Sequence, residues 1–134
     1  MSDEVSSKLI REIGEMILDD PEFGNDRWDA ISLVATIHDG SEEMSGYMYF
    51  ADGSFEAAAP INFGDIIDKF LDLREHMDSN GQGAFLQCLV HITKPDIALR
   101  LQFEHENPKR WWPEKVSMDM SAFAEQLRPA PNGA

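Results

Sequence analysis

The chain is 134 residues long, 43% apolar and 10% aromatic, with one cysteine and a net charge of −14. That composition suits a single folded domain, argues against a disordered chain and permits no internal disulfide. Every apolar run falls short of the ~18 residues needed to cross a bilayer, and the acidic start Met1-Ser2-Asp3-Glu4 lacks the basic-then-apolar order of a secretory signal.

So acidic a chain is repelled by nucleic acid and by anionic lipid. The charge permits a basic protein partner, a cation, or simply a solvated acidic surface, and the expected compartment is the reducing cytoplasm. The charge is also uneven. Residues 1–78 hold 19 of the 25 acidic and 5 of the 11 basic side chains, so the whole net charge lies there while residues 79–134 are balanced.

In residues 3–18, Val5, Leu9, Ile10, Ile13, Met16 and Ile17 recur at helical spacing, with Glu4, Glu12, Glu15 and Asp19 on the opposite side. Asp20-Pro21 ends this helix, because a residue before proline is pushed out of the α region. Residues 28–38 place Ile31, Leu33, Ala35 and Ile37 at alternate positions, as in a half-buried strand. A turn over 39–43 leads to a hairpin of 44–51 with 54–59 around Asp52-Gly53. A two-residue type I′ turn there sets Phe50 opposite Phe55 and Met48 opposite Ala57.

Residues 63–77 predict a second helix whose buried arc is Ile66, Ile67, Phe70, Leu71 and Met77. Arg74 falls inside that arc, its stem on the core edge and its head in water. After a break at 78–83, a hairpin of 84–94 with 97–106 turns at Pro95-Asp96. It pairs Ile92 with Leu99, Val90 with Leu101 and Cys88 with Phe103, leaving His91, Arg100, Gln102 and Glu104 on the other face. Met120, Phe123, Ala124 and Leu127 mark a short C-terminal helix stopped by Pro129, and residues 129–134 read as a disordered tail. The fold class is α+β: one domain over 1–128, with an antiparallel sheet of about five strands packed against an N-terminal, a central and a short C-terminal helix. Strand order is not legible.

Chemistry is sparse. The histidines lack metal-binding spacing, and one cysteine cannot build a zinc cluster. Glu104-His105-Glu106 alternates across a strand, so its side chains cannot converge. Cys88 falls on an apolar face and is expected to be inert. No glycine-rich phosphate loop occurs, and Asp19-Asp20 and Glu42-Glu43 fall on expected surface segments. No catalytic residue, metal site or cofactor is expected.

The positive candidates are for partner binding. Asp65, Asp68, Asp72 and Glu75 share one helical face, and Glu12 and Glu15 add to it from the first helix. Trp111 and Trp112, beside Lys109 and Arg110, form an aromatic pair between prolines. Either one is an exposed contact or both lie flat over the core edge.

The order of an N-terminal amphipathic helix, Trp28 opening a strand, Gly46-Tyr47-Met48-Tyr49-Phe50 running into Asp52-Gly53, an acidic helix, and Leu99-Arg100-Leu101-Gln102-Phe103-Glu104-His105-Glu106-Asn107-Pro108 leading to Trp111 resembles the YezG-like immunity proteins. These are bacterial antitoxins that bind and neutralise secreted toxins, often nucleases. The resemblance covers most of residues 5–112; the C-terminal helix and the tryptophan pair depart from the pattern. It implies a non-catalytic inhibitor of a basic toxin. The alternative is a stand-alone interaction or regulatory domain, homodimeric through Trp111 and Trp112; a small-molecule binder or enzyme ranks last. The oligomeric state is not set by the sequence.

Overall fold

The structure, a computed structural model, describes residues 4–24, 27–112 and 120–129. In chain order it contains α1 (Glu4–Asp19), β1 (Ala30–His38), β2 (Ser41–Tyr49), β3 (Phe55–Ala57), α2 (Phe63–Ser79), β4 (Gln87–Thr93), β5 (Ala98–Glu104) and α3 (Met120–Leu127). The strands form one sheet in the order β3-β2-β1-β4-β5, with every neighbouring pair antiparallel. The expected α+β class is therefore present, with five strands and three helices. No helix among the described residues is long and apolar enough to cross a membrane.

Alternation along the strands builds two layers. Ile31, Leu33, Ala35 and Ile37 of β1, Met48 of β2, and Cys88, Val90 and Ile92 of β4 face α1 and α2, which contribute Ile13, Ile17, Ile66, Phe70 and Leu73. On the opposite face Ala30, Val34, Tyr47, Tyr49 and Leu89 meet Phe123, Ala124 and Leu127 of α3, together with Trp111.

That second layer corrects the expectation for β1. The strand is not half-buried: Ala30 through Ile37 are all buried, because α3 and Trp111 cover the face that was assigned to water. Polar groups on this face are consequently paired. Gln87 donates from Nε2 to Thr36 Oγ1 at 3.0 Å and accepts the Trp111 backbone N–H at Oε1 at 2.9 Å. The Tyr49 hydroxyl donates to the Ala124 carbonyl at 2.6 Å and lies 3.1 Å from Ser32 Oγ. His91 Nε2, 2.8 Å from the Leu127 carbonyl, must carry its proton there, since a carbonyl only accepts. No buried side-chain nitrogen or oxygen among the described residues lacks a partner.

Tyr49 makes this layer sensitive to alkali. Burial pushes its hydroxyl up to about 12, against bonding to Ser32 and the nearby Arg128, and Tyr47 shifts the same way. A raised folded value means the contribution is complete below pH 10, the ordinary value, and is lost as pH rises toward 12. Ellipticity and tyrosinate absorbance followed together should report unfolding in that window. Tyrosinate appearing near pH 10 with the fold intact would contradict the buried placement.

Two hairpins differ from the expectation in instructive ways. β1 and β2 join through Asp39-Gly40 alone, with φ of 53° and 79°, and His38 pairs with Ser41. The I′ turn therefore sits there, and β2 begins three residues before the expected Met44. At Asp52-Gly53 only Gly53 has positive φ, at 91°. Gly53 donates its N–H to the Phe50 carbonyl and Phe50 donates to the Ser54 carbonyl, both at 2.9 Å. This is the three-residue loop whose third position is left-handed. The extra residue slips the register by one, so Tyr49 opposes Phe55 and Tyr47 opposes Ala57. Phe55 consequently joins the α3 layer while Phe50 joins the other. The β4–β5 register agrees at all three expected pairs, although the ladder closes at Thr93 and Ala98.

Arg74 also differs: its Nε donates to the Phe85 carbonyl at 2.6 Å, so its head is held by backbone. Pro129, expected in a disordered tail, is buried. Residues 130–134, the rest of that expectation, lie outside the described residues.

Candidate functional site: the outer face of α2

α2 packs Ile66, Ile67, Phe70, Leu73 and Met77 inward. At 100° per residue the opposite side of the helix falls at Asp68, flanked by Asp65, Asp72 and Glu75. All four are exposed. None has an ion-pair partner among the described residues. The row contains three like-charged pairs at helical spacing, each costing a few tenths of a kcal/mol. Asp65, in the first turn, gains from the helix dipole, whereas Glu75 lies toward the end where a negative charge is disfavoured.

Five of the basic side chains are held elsewhere. Lys94 lies 4.1 Å from the Trp28 ring centroid and Arg27 6.0 Å from that of Phe50. Arg110 pairs with Glu104 at 3.0 Å and stacks on Trp111 at 4.7 Å. Arg128 pairs with Glu125 at 2.7 Å, donates to the Gly53 carbonyl and covers Tyr49. Lys69 of α2 turns toward α1 and meets Glu12 at 3.4 Å. These five cations cap, stack and staple, and among the described residues no ion pair reaches the α2 row.

Other sequence candidates are placed differently. Glu12 is engaged by Lys69 at the α1–α2 seam, so it is not an open extension of the row; Glu15 is exposed on α1. Trp111 is only 8% exposed and packs in the α3 layer, which removes it as a surface contact, while Trp112 is half-buried. The front-half carboxylates do not gather into one patch. Asp39, Glu42 and Glu43 lie at one end of β2 and Asp52 at the other, where it accepts from Ser54 N and Oγ. Asp20, assigned to the surface from the sequence, is 1% exposed.

Asp20 is the structural carboxylate that sequence reasoning missed. It accepts the N–H groups of Glu22 (3.0 Å), Ile61 (2.9 Å) and Asn62 (2.8 Å), tying the end of α1 to the chain entering α2. Asn62 makes no side-chain cap, so this contact fixes where the acidic helix starts. The only local signal was its position before Pro21.

The reactive groups described are buried or already bonded. Cys88 is fully buried, and burial pushes its thiol well above the ordinary value. Among the described residues no three His, Cys, Asp or Glu side chains could hold a metal. Glu104 is a turn carboxylate: N–H groups of Asn107 and Glu106, then Arg110, hold it below the usual range. A cleft of about 590 Å³ beside α3 is lined by His91, Arg100, Gln102, Trp111, Gln126 and Arg128 among others. Its His91 and Arg128 are already bonded to Leu127 and Glu125. Burial pulls the His91 imidazole down, opposed by the Leu127 bond and aided by Arg100. No model of a known protein family matches the chain, and no curated protein matches it either.

Proposed function

We propose that the chain is a non-catalytic binding protein, an immunity-type inhibitor that occupies the cationic surface of a basic toxin with the outer face of α2. The observation that carries this reading is the exposed row Asp65, Asp68, Asp72 and Glu75, without an ion pair among the described residues while Lys69, Arg110 and Arg128 pair elsewhere. Such a row can imitate the charge spacing of a phosphate backbone. It attracts a positive cleft over roughly one Debye length, about 8 Å at physiological salt. The resemblance to the YezG-like immunity proteins supplies the partner class.

The test is capture of the partner from the native cell followed by a binding titration with the double variant Asp68→Lys/Asp72→Lys. Both positions are exposed, so the fold is retained. Reversing two charges at the centre of the contact should weaken binding at least about 100-fold. Added salt should slow association of the wild type far more than that of the variant. Equal affinity of the two proteins would end the proposal.

A further inference from the structure

We propose that a second copy of this chain docks on the β5 edge, joining two sheets through an antiparallel β5–β5 pairing centred on Gln102; this is independent of the inhibitor reading. The sheet has two edges, and they are not alike. β3 closes one with three residues, whereas β5 is a seven-residue strand with no partner strand on its outer side among the described residues. Free edges of that length are ordinarily blunted by proline, lysine, a bulge or a covering segment. Ala98–Glu104 contains no proline, lysine or glycine, and its register with β4 is unbroken.

The side chains select the occupant. Arg100 is exposed, and among the described residues no carboxylate lies within ion-pair distance of it. A two-fold axis through Gln102 sets Arg100 opposite the partner's Glu104 and, by symmetry, Glu104 opposite the partner's Arg100. The same register sets Leu101 against the partner's Phe103, both half-buried in the single chain. Shifting the axis to Leu101 would instead place Arg100 opposite Gln102 and lose both ion pairs. Glu104 already accepts two backbone N–H groups at Oε2 and Arg110 at Oε1. A carboxylate has about four acceptor positions, so one remains for the incoming guanidinium.

The charge distribution permits this approach. The net −14 resides in residues 1–78, whereas β4, β5 and α3 come from the balanced remainder. The helix bordering the edge is α1, which brings both Arg11 and Glu15 to it. Between α1 and the strand runs a groove of about 350 Å³ lined by Ile10, Gly14, Leu18, Ile92, Ile97 and Leu99. Ile97 there is 51% exposed. Gly14 sits tightly on Leu99, since a Cβ on it would lie 2.8 Å from Leu99 Cδ2. In this register the partner's His105 falls opposite Leu99, which lines the groove. An isologous contact of this kind closes at two copies and leaves no free β5 edge.

The experiment is light scattering on the full chain over a concentration series, with cysteine variants to read the register. Residues opposite one another in an antiparallel pair have Cα atoms about 4.5–5.5 Å apart, inside the range a disulfide spans. Gln102→Cys should therefore yield a covalent dimer under mild oxidation. Arg100→Cys, about 14 Å from its own copy across the axis, should not. Native Cys88 is buried and does not interfere. Arg100→Glu should weaken the dimer at least about tenfold, with the circular dichroism of the single chain unchanged. A monomeric mass at every concentration, or cross-linking of Arg100→Cys as efficient as that of Gln102→Cys, would overturn the proposal.

Discussion

Gly46→Ala is expected to destabilise the protein by about 3 kcal/mol, at the top of the overpacking range, and to lower its melting temperature by roughly 10 °C. Gly46 lies inside β2, buried, directly opposite Leu33 of β1. A Cβ at this position would run into the Ser32 carbonyl oxygen and stand 2.6 Å from Leu33 Cδ2 and 3.0 Å from Leu33 Cα. A flexible side chain could move aside, but two of these three obstacles are backbone. β1 is the central strand, paired on both sides and buried on both faces, so it cannot retreat without disturbing β4 as well. Leu33→Ala should therefore fail to rescue Gly46→Ala. Recovery in the double variant, measured by chemical denaturation, would show that the side chain and not the backbone was the obstacle.

Gly46 also shows where sequence reasoning stops. A glycine inside a strand can mark a close backbone approach, but what approaches Gly46 lies in the neighbouring strand. The β4–β5 register was legible because alternation on both strands and a short connection admit one apolar pairing. The β2–β3 register was not, because Asp-Gly fits both a two-residue I′ turn and a three-residue loop with glycine last. Those alternatives differ by one residue and exchange the faces of Phe50 and Phe55.

The second core layer was concealed for a different reason. Ser32, Thr36 and Gln87 are polar, and polarity on one strand face ordinarily means water. Their partners are Tyr49, Trp111 and each other, brought together only once β1 lies between β2 and β4. The small or hydroxylated series Ala30, Ser32, Val34, Thr36, free of charge, was the available hint that this face is covered. The acidic row of α2 was legible in full because its geometry is local to one helix. Whether cations reach it was not, since that depends on where Lys69, Arg74 and Arg110 end up.

Carboxylates that hold the fold and the carboxylates proposed to meet a partner should separate cleanly by mutation, and Asp20 provides the contrast. Asp20→Ala is expected to cost about 4 kcal/mol, because three backbone N–H groups packed around a side chain that is 1% exposed lose their acceptor together. Asp20→Asn should cost about half as much. Its amide oxygen can keep the two N–H groups now on Oδ1, Glu22 and Ile61, but its NH₂ then meets the N–H of Asn62, donor against donor. Flipping the amide rescues one bond and loses two. Denaturant titration gives the ranking wild type, Asp20→Asn, Asp20→Ala, and a loss below about 1 kcal/mol for alanine would refute the role assigned to this group. Asp20→Asn leaves Asp65, Asp68, Asp72 and Glu75 untouched. In conditions where it is folded, its partner binding should keep the wild-type salt dependence that Asp68→Lys/Asp72→Lys abolishes. A stability defect with the electrostatic signature intact, set beside an electrostatic defect with the fold intact, assigns the two sets of carboxylates to separate tasks.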